Sequence, residues 1–334
     1  MEENEGAKNK DAAREEIEPE KGRSKAKVLF LLAIIFFLLA GLSVYLGWKK
    51  IRLADTELKI GFITDWEYGY KKDIGDKLTN QAPVELEKAV KYLNEEYRPE
   101  MVISGGDMVE SSMSRTETTK IQLNKINEIF SRLDARRGYV MGNHDLRDLT
   151  KEEVRKILGI DYNHAYFDLG DWRLVLMDTN FDKKDYSDMG PDYYVDGYVP
   201  PSEYTWLSEA LATDRPTMIF SHHSPIPNID NKNLSRRDDV RAFLERFKNV
   251  ILVVSGHDPT CKLEESNGIY YFIANNLVDN KALGSFATMT FQYNRYSRKA
   301  EIEIKHHGAH QEEFKIEKRG GFLESWKNYL VSFF

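Results

Sequence analysis

Cysteine is almost missing from this chain: one residue in 334, Cys261, excludes an intramolecular disulfide. A lone thiol says nothing of redox compartment, and Cys261 reads as a small buried filler. Positive charge is in deficit as well, with 47 Lys and Arg against 54 Asp and Glu and a formal net charge of −7. A nucleic-acid backbone gains no electrostatic support from such a chain, and no nucleic-acid partner is expected. No internal repeat stands out. What is present suffices for a sizeable core: 41% hydrophobic and 12% aromatic residues, over a length that allows one large domain or two small ones.

Charge disappears altogether from Val28 to Trp48, 21 residues that include Leu31-Leu32-Ala33-Ile34-Ile35-Phe36-Phe37-Leu38-Leu39. As a helix rising about 1.5 Å per residue, this run spans roughly 30 Å, the thickness of a bilayer's hydrocarbon. It is longer than the apolar core of a signal peptide and lacks a clear Ala-x-Ala site. The reading is a retained single-helix membrane anchor at 28–48. Residues 1–27 mix acidic and basic side chains with almost no large apolar residue, which reads as a disordered tail. Seven basic residues (Lys8, Lys10, Arg14, Lys21, Arg23, Lys25, Lys27) precede the run, and four (Lys49, Lys50, Arg52, Lys59) follow it. That asymmetry predicts a cytoplasmic N-terminus and an extracytoplasmic domain, joined by a tether at 49–57.

Beyond the tether, strand and helix patterns alternate. Leu58–Thr64 reads as a first strand and Trp172–Met177 as a later one. Helices are expected over Pro83–Leu93, around Ile121–Leu133, and over Glu203–Leu211 and Arg236–Phe247. After Ile269 the pattern turns to strands alone, at Ile269–Ile273, Phe286–Tyr293 and Ala300–Lys305. This order predicts a layered α/β domain with an antiparallel second half, over 58–310. The segment 311–334 is expected to hold an amphipathic helix, with Phe322, Trp326, Tyr329, Leu330 and Phe333 on one face. It would dock on the domain or lie at a membrane interface.

Four fragments carry chemistry: Gly106-Asp107, Gly142-Asn143-His144-Asp145, His223-Ser224-Pro225 and Gly256-His257. Each follows a short β-rich apolar run, and in open α/β sheets ligand sites gather beyond the carboxyl ends of strands. Each is weak singly. In this order they resemble the calcineurin-like metallophosphoesterase family, over roughly Leu58 to His307. The resemblance implies that family's four-layer sandwich, two mixed β-sheets flanked by helices. It also implies two metal ions bridged by Asp107, the second completed by Asn143, His223 and His257. His222 is the alternative to His223. The first ion would take Asp65, Glu67 and Asp107. His144 would contact the phosphoryl group and donate a proton to the leaving oxygen.

Two departures stand out. The family opens with Asp-x-His, where this chain has Asp65-Trp66-Glu67. It closes with Gly-His-x-His, where this chain has Gly256-His257-Asp258-Pro259, and proline offers no donor. One or two divalent ions (Mn, Fe, Zn or Mg) are expected, with oxygen-preferring ions such as Mn or Mg favoured in the altered half. The expected function is a membrane-anchored phosphatase or phosphodiesterase using metal-activated water on a small-molecule or lipid phosphoester. The alternative is a degenerate relative that binds a phosphorylated ligand or a partner without turnover. His164 reads as structural. His306, His307 and His310 read as solvated surface past the last clear strand. Phe181–Val199, with Tyr186, Tyr193, Tyr194 and Tyr198, reads as a pocket cap or a solvated loop.

Overall fold

The computed structural model describes residues 21–52, 56–69, 75–111, 116–192, 194–227, 234–294 and 299–319. The chain divides into two compact units between Leu53 and Ala54. The first is a single helix, α1 (Lys21–Arg52). Its stretch Lys27–Gly47 has a mean hydropathy of 2.8 and no buried side, so by length and composition it is able to cross a membrane. Phe36, Phe37 and Leu38 all lie open on it.

The second unit is built on two six-stranded sheets. The first sheet contains β1 (Thr56–Ile63), β2 (Met101–Ser104), β3 (Arg136–Tyr139), β10 (Phe286–Asn294), β11 (Lys299–His307) and β12 (Glu312–Arg319), in the order β12-β11-β10-β1-β2-β3. The second contains β4 (Ala165–Leu169), β5 (Trp172–Leu176), β6 (Thr217–Ser221), β7 (Val250–Ser255), β8 (Lys262–Ser266) and β9 (Ile269–Ile273), in the order β4-β5-β6-β7-β9-β8. Both are mixed. β1, β2 and β3 run parallel, whereas β10 pairs antiparallel with β1 and β11. β5, β6, β7 and β9 run parallel, with antiparallel β4 and β8 at the edges.

The two-residue period of a strand decides which side chains face which layer. Leu58, Ile60 and Phe62 of β1 meet Trp172, Leu174 and Leu176 of β5 in the core between the sheets. Ile63 belongs instead to the layer under α2 (Ala82–Tyr92), α3 (Thr116–Phe130) and α4 (Lys151–Leu158). Val175 belongs to the layer under α5 (Pro201–Leu211) and α6 (Arg237–Leu244). On α3, Leu123, Ile126 and Phe130 recur at helical spacing and are fully buried, each contributing about 1.5–3 kcal/mol of transfer free energy. The expected four-layer sandwich is therefore present.

The sheet continues past the expected boundary at 310. Glu312–Arg319 is β12, paired along its length with β11. Its Phe314 and Ile316 alternate with charged residues, the pattern of a strand with one face on the core. The amphipathic helix expected over 322–333 lies outside the described residues. The reading of His306 and His307 is corrected too, since both fall within β11. His306 is buried, accepting from Asn275 N–H at 3.4 Å, and His307 stacks on Phe286 with ring centroids 4.5 Å apart. His310 is exposed and pairs with Glu312 at 2.7 Å. None of the three belongs to the donor groups described next.

Candidate metal centre

Three parallel strands of the first sheet and two of the second end on one rim, and the residues just past them meet there. Asp65 and Glu67 follow β1, Asp107 follows β2, Asn143 and His144 follow β3, His222 and His223 follow β6, and His257 follows β7. Contacts across the rim span nearly the whole unit: His257 N–H donates to Asp65 Oδ2 at 3.0 Å, 192 residues away. Asp65, Glu67, Asp107 and His257 all have positive φ, between 43° and 66°. Non-glycine residues pay for that conformation, and such outliers gather where function over-determines the backbone.

The centre converges on His222 Nε2. Asp107 Oδ2 lies 3.3 Å from it, Asn143 Oδ1 3.1 Å and His257 Nδ1 3.2 Å. Each donor is oriented from behind. His222 Nδ1–H donates to Gly105 O at 2.8 Å, which turns Nε2 inward. The Asn143 amide donates to Tyr194 O at 3.1 Å, leaving Oδ1 free to face the centre. Asp107 Oδ1 accepts the His144 N–H at 2.7 Å. A carboxylate, an amide oxygen and two imidazoles suit a divalent transition ion. The field at the centre favours positive charge. Burial presses the His222 imidazole down, yet the Asp107 carboxylate outweighs it and raises it to about 9. Burial and the neighbouring imidazoles hold His257 well below its ordinary value, so it presents a neutral nitrogen.

Backbone proximity explains two glycines of the motifs. A Cβ on Gly142 would stand 2.1 Å from Asp107 Oδ1, and one on Gly256 2.0 Å from Thr64 Oγ1. His223 is arranged differently from His222. Its Nδ1 meets Thr179 Oγ1 at 2.8 Å and its Nε2 meets Val195 O at 3.0 Å. Burial first, then the charge of His222, brings it down to about 3. The two histidines thus share the cluster with His257, but only His222 turns a ring nitrogen to Asp107 and Asn143.

On the other side of Asp107, Asp65, Glu67 and His144 complete two overlapping groups of candidate donors. This half fits an ion less well. Glu67 Oε1 is ion-paired to Lys77, and Glu67 Oε2 is buried with no hydrogen-bond partner among the described residues. Burial raises Glu67 well above its ordinary value, against the pull of Lys77. Pro259 is exposed, and Asp258 is not among the converging donors of the described residues.

His144 Nε2 lies 3.8 Å from Asp107 Oδ2, while Glu110 Oε2 at 2.9 Å and Arg147 at 2.8 Å hold its Nδ1. Burial lowers the His144 imidazole despite the Asp107 charge. Burial raises Glu110, but its bond to His144 and the charges around it bring it below its ordinary value. Sequence reasoning missed Lys77, Glu110 and Arg147, for which no motif or spacing gave a signal. It also missed that Tyr194 and Val195 of the 181–199 loop orient Asn143 and His223 through their carbonyls. His164 is structural as read: it stacks on Trp206 at 3.9 Å and bonds Glu203 at 2.6 Å.

Comparison with known proteins places this geometry. A dimetal phosphatase from Danio rerio superposes with a TM-score of 0.65 at 16% identity, over 78% of this chain and 98% of that one. GAP50, the anchor in the inner membrane complex of Plasmodium, superposes with a TM-score of 0.52 at 11% identity, over 81% and 94%. These likenesses show a shared fold. The glycerophosphodiester phosphodiesterase GpdQ of Enterobacter lignolyticus is 24% identical over 172 residues, 48% of this chain and 56% of that enzyme. The alignment thus spans little more than half the length of that relative. The calcineurin-like phosphoesterase model matches residues 58–261, most of the second unit, and the chain belongs to that family.

Proposed function

We propose that the chain is a membrane-anchored phosphoesterase that holds a divalent ion between Asp107, Asn143, His222 and His257 and hydrolyses a phosphoester. The convergence of those donors within 3.1–3.3 Å of His222 Nε2 carries this reading. His222 takes the ligand position here, and His223 braces the 181–199 loop behind it. A divalent ion held by these residues supplies Lewis-acid polarisation of a phosphoryl oxygen and a bound water of lowered pKa. The chain does the rest. Asp107 is fixed by the His144 amide, so the ligand geometry is set before substrate arrives. The His144 imidazolium, with its Nδ1–H on Glu110 Oε2, would give its Nε2 proton to the departing ester oxygen. The donor set suits Mn, Fe or Zn. The substrate is a phosphoester small molecule or lipid.

The apolar helix and the seven-to-four basic asymmetry support a single span with the catalytic unit outside the cytoplasm. Turnover of bis-(p-nitrophenyl) phosphate and p-nitrophenyl phosphate by the full-length chain in detergent, with Mn, Fe, Zn and Mg supplied in turn, tests the reading. Metal-dependent hydrolysis that disappears in Asp107→Asn is the expected result. One observation favours a second reading: exposed Pro259 leaves the altered half short of a donor. One ion bound with no hydrolysis of either ester class would make this a ligand-binding relative of the family.

A further inference from the structure

A lysine stands among the carboxylates of the altered half. Lys77 Nζ is ion-paired with Glu67 Oε1 and lies 3.4 Å from Glu110 Oε2. Both carboxylates are buried, at 1% and 6% side-chain exposure, while the lysine keeps 28%. The ammonium is therefore held at two buried carboxylates, on a side chain that keeps part of its surface open. Its backbone is fixed as well: Lys77 bridges Asp279, Leu78 N–H donates to Val278 O at 2.8 Å, and a 3-10 turn over Thr79–Gln81 follows at once.

This placement coincides with one departure from the family pattern, Glu67, and the other lies at Pro259. Glu67 adds a negative charge where the pattern has an imidazole, and Pro259 removes a donor. Lys77 neutralises the added charge through that same carboxylate. The altered half thereby gains no net charge with which to draw a second ion. What remains for such an ion is a set of carboxylates with an ammonium already among them, and like charges at that separation repel.

We propose that the Lys77 ammonium takes the place of the first metal ion, so that the centre holds one divalent ion and one cation that belongs to the chain. This rests on the ion site assigned above at Asp107, Asn143, His222 and His257. An ammonium has three N–H donors. Glu67 and Glu110 engage two of them, which leaves the third for an anion. The ligand class is a phosphate group whose non-bridging oxygens reach both the ion and Lys77 Nζ. The lysine contributes charge and a hydrogen bond but no Lewis acidity, so activation of water falls to the single ion.

The test uses the full-length chain in detergent, equilibrated with millimolar Mn²⁺, with metal counted by mass spectrometry and Mn–Mn coupling read by electron paramagnetic resonance. The native chain should hold one Mn²⁺ per chain with no spin coupling. Lys77→Met and Lys77→Gln should take up a second, spin-coupled Mn²⁺, and Lys77→Arg should stay at one. Near-ultraviolet circular dichroism identifies any variant that fails to fold, and the remaining variants then decide the outcome. Affinity for inorganic phosphate should fall at least about tenfold in Lys77→Met. Two ions in the native chain would overturn this proposal and leave the first-assigned ion site standing. No ion at all would sink both. A folded Lys77→Met chain that still holds one ion, or binds phosphate unchanged, would also overturn it.

Discussion

Asp107 gives its two oxygens different tasks, one taken by the His144 amide and the other turned to His222. Removing the charge or one of its imidazole partners should therefore act on the ion itself. Asp107→Asn and His257→Ala are expected to lose bound metal, measured by elemental analysis after dialysis. His144→Ala should keep the metal and lower turnover by about 10²–10⁴, the usual loss for a positioned acid. Loss of metal in His144→Ala would show that its imidazole is a ligand instead. Gly142→Ala should also strip the ion, because its Cβ would stand 2.1 Å from Asp107 Oδ1 and force that carboxylate aside. Residues of this kind were legible from sequence because glycine-flanked Asp, Asn and His recur after strands. The choice between His222 and His223 was not: the spacing to Pro225 favours His223, whereas the bond to the Gly105 carbonyl turns Nε2 of His222 toward Asn143. Lys77 was illegible altogether: nothing local marks it, and its meaning arises only where Glu67 and Glu110 come together.

Most strands announced themselves as buried apolar runs, and most helices through apolar residues at helical spacing. The exceptions were α4 and the edge strands β8 and β12, in which charged residues outnumber apolar ones, so that each run reads as surface. Helix α4 shows how an element is placed against the site. Thr150 and Glu153 form a capping box at its start, and Gly159, with φ 70°, ends it. Just inside the cap, Lys151 is buried and ion-paired to Asp178 at 2.6 Å, at the end of β5, and to Asp188 at 2.7 Å. Asp178 in turn holds Asn180, which donates to Met141 O beside the centre. A buried pair broken on one side costs about 3–5 kcal/mol. Lys151→Met should lower unfolding free energy by that amount in urea titration, and Lys151→Met with Asp178→Leu should recover a substantial part. Equal stability of the single variant and the native chain would remove this brace from the account.

At the scale of the molecule, the apolar helix and the sandwich make different predictions testable together. Protease added to sealed right-side-out vesicles should digest the second unit and spare an epitope placed at the N-terminus. The reverse pattern would invert the proposed topology. The sheet order holds a further consequence for how the protein is made. β1 lies in the middle of its sheet, between β2, which follows it closely, and β10, which begins more than two hundred residues later. Chains are synthesised from the N-terminus at about 5–20 residues per second, so one edge of β1 waits roughly 10–45 s for its partner. During that interval an apolar strand with open amides is adjacent in sequence to a segment able to enter a bilayer. Nascent chains halted before Phe286 should thus be captured by chaperones or clump at the membrane, whereas those halted after Arg319 should not.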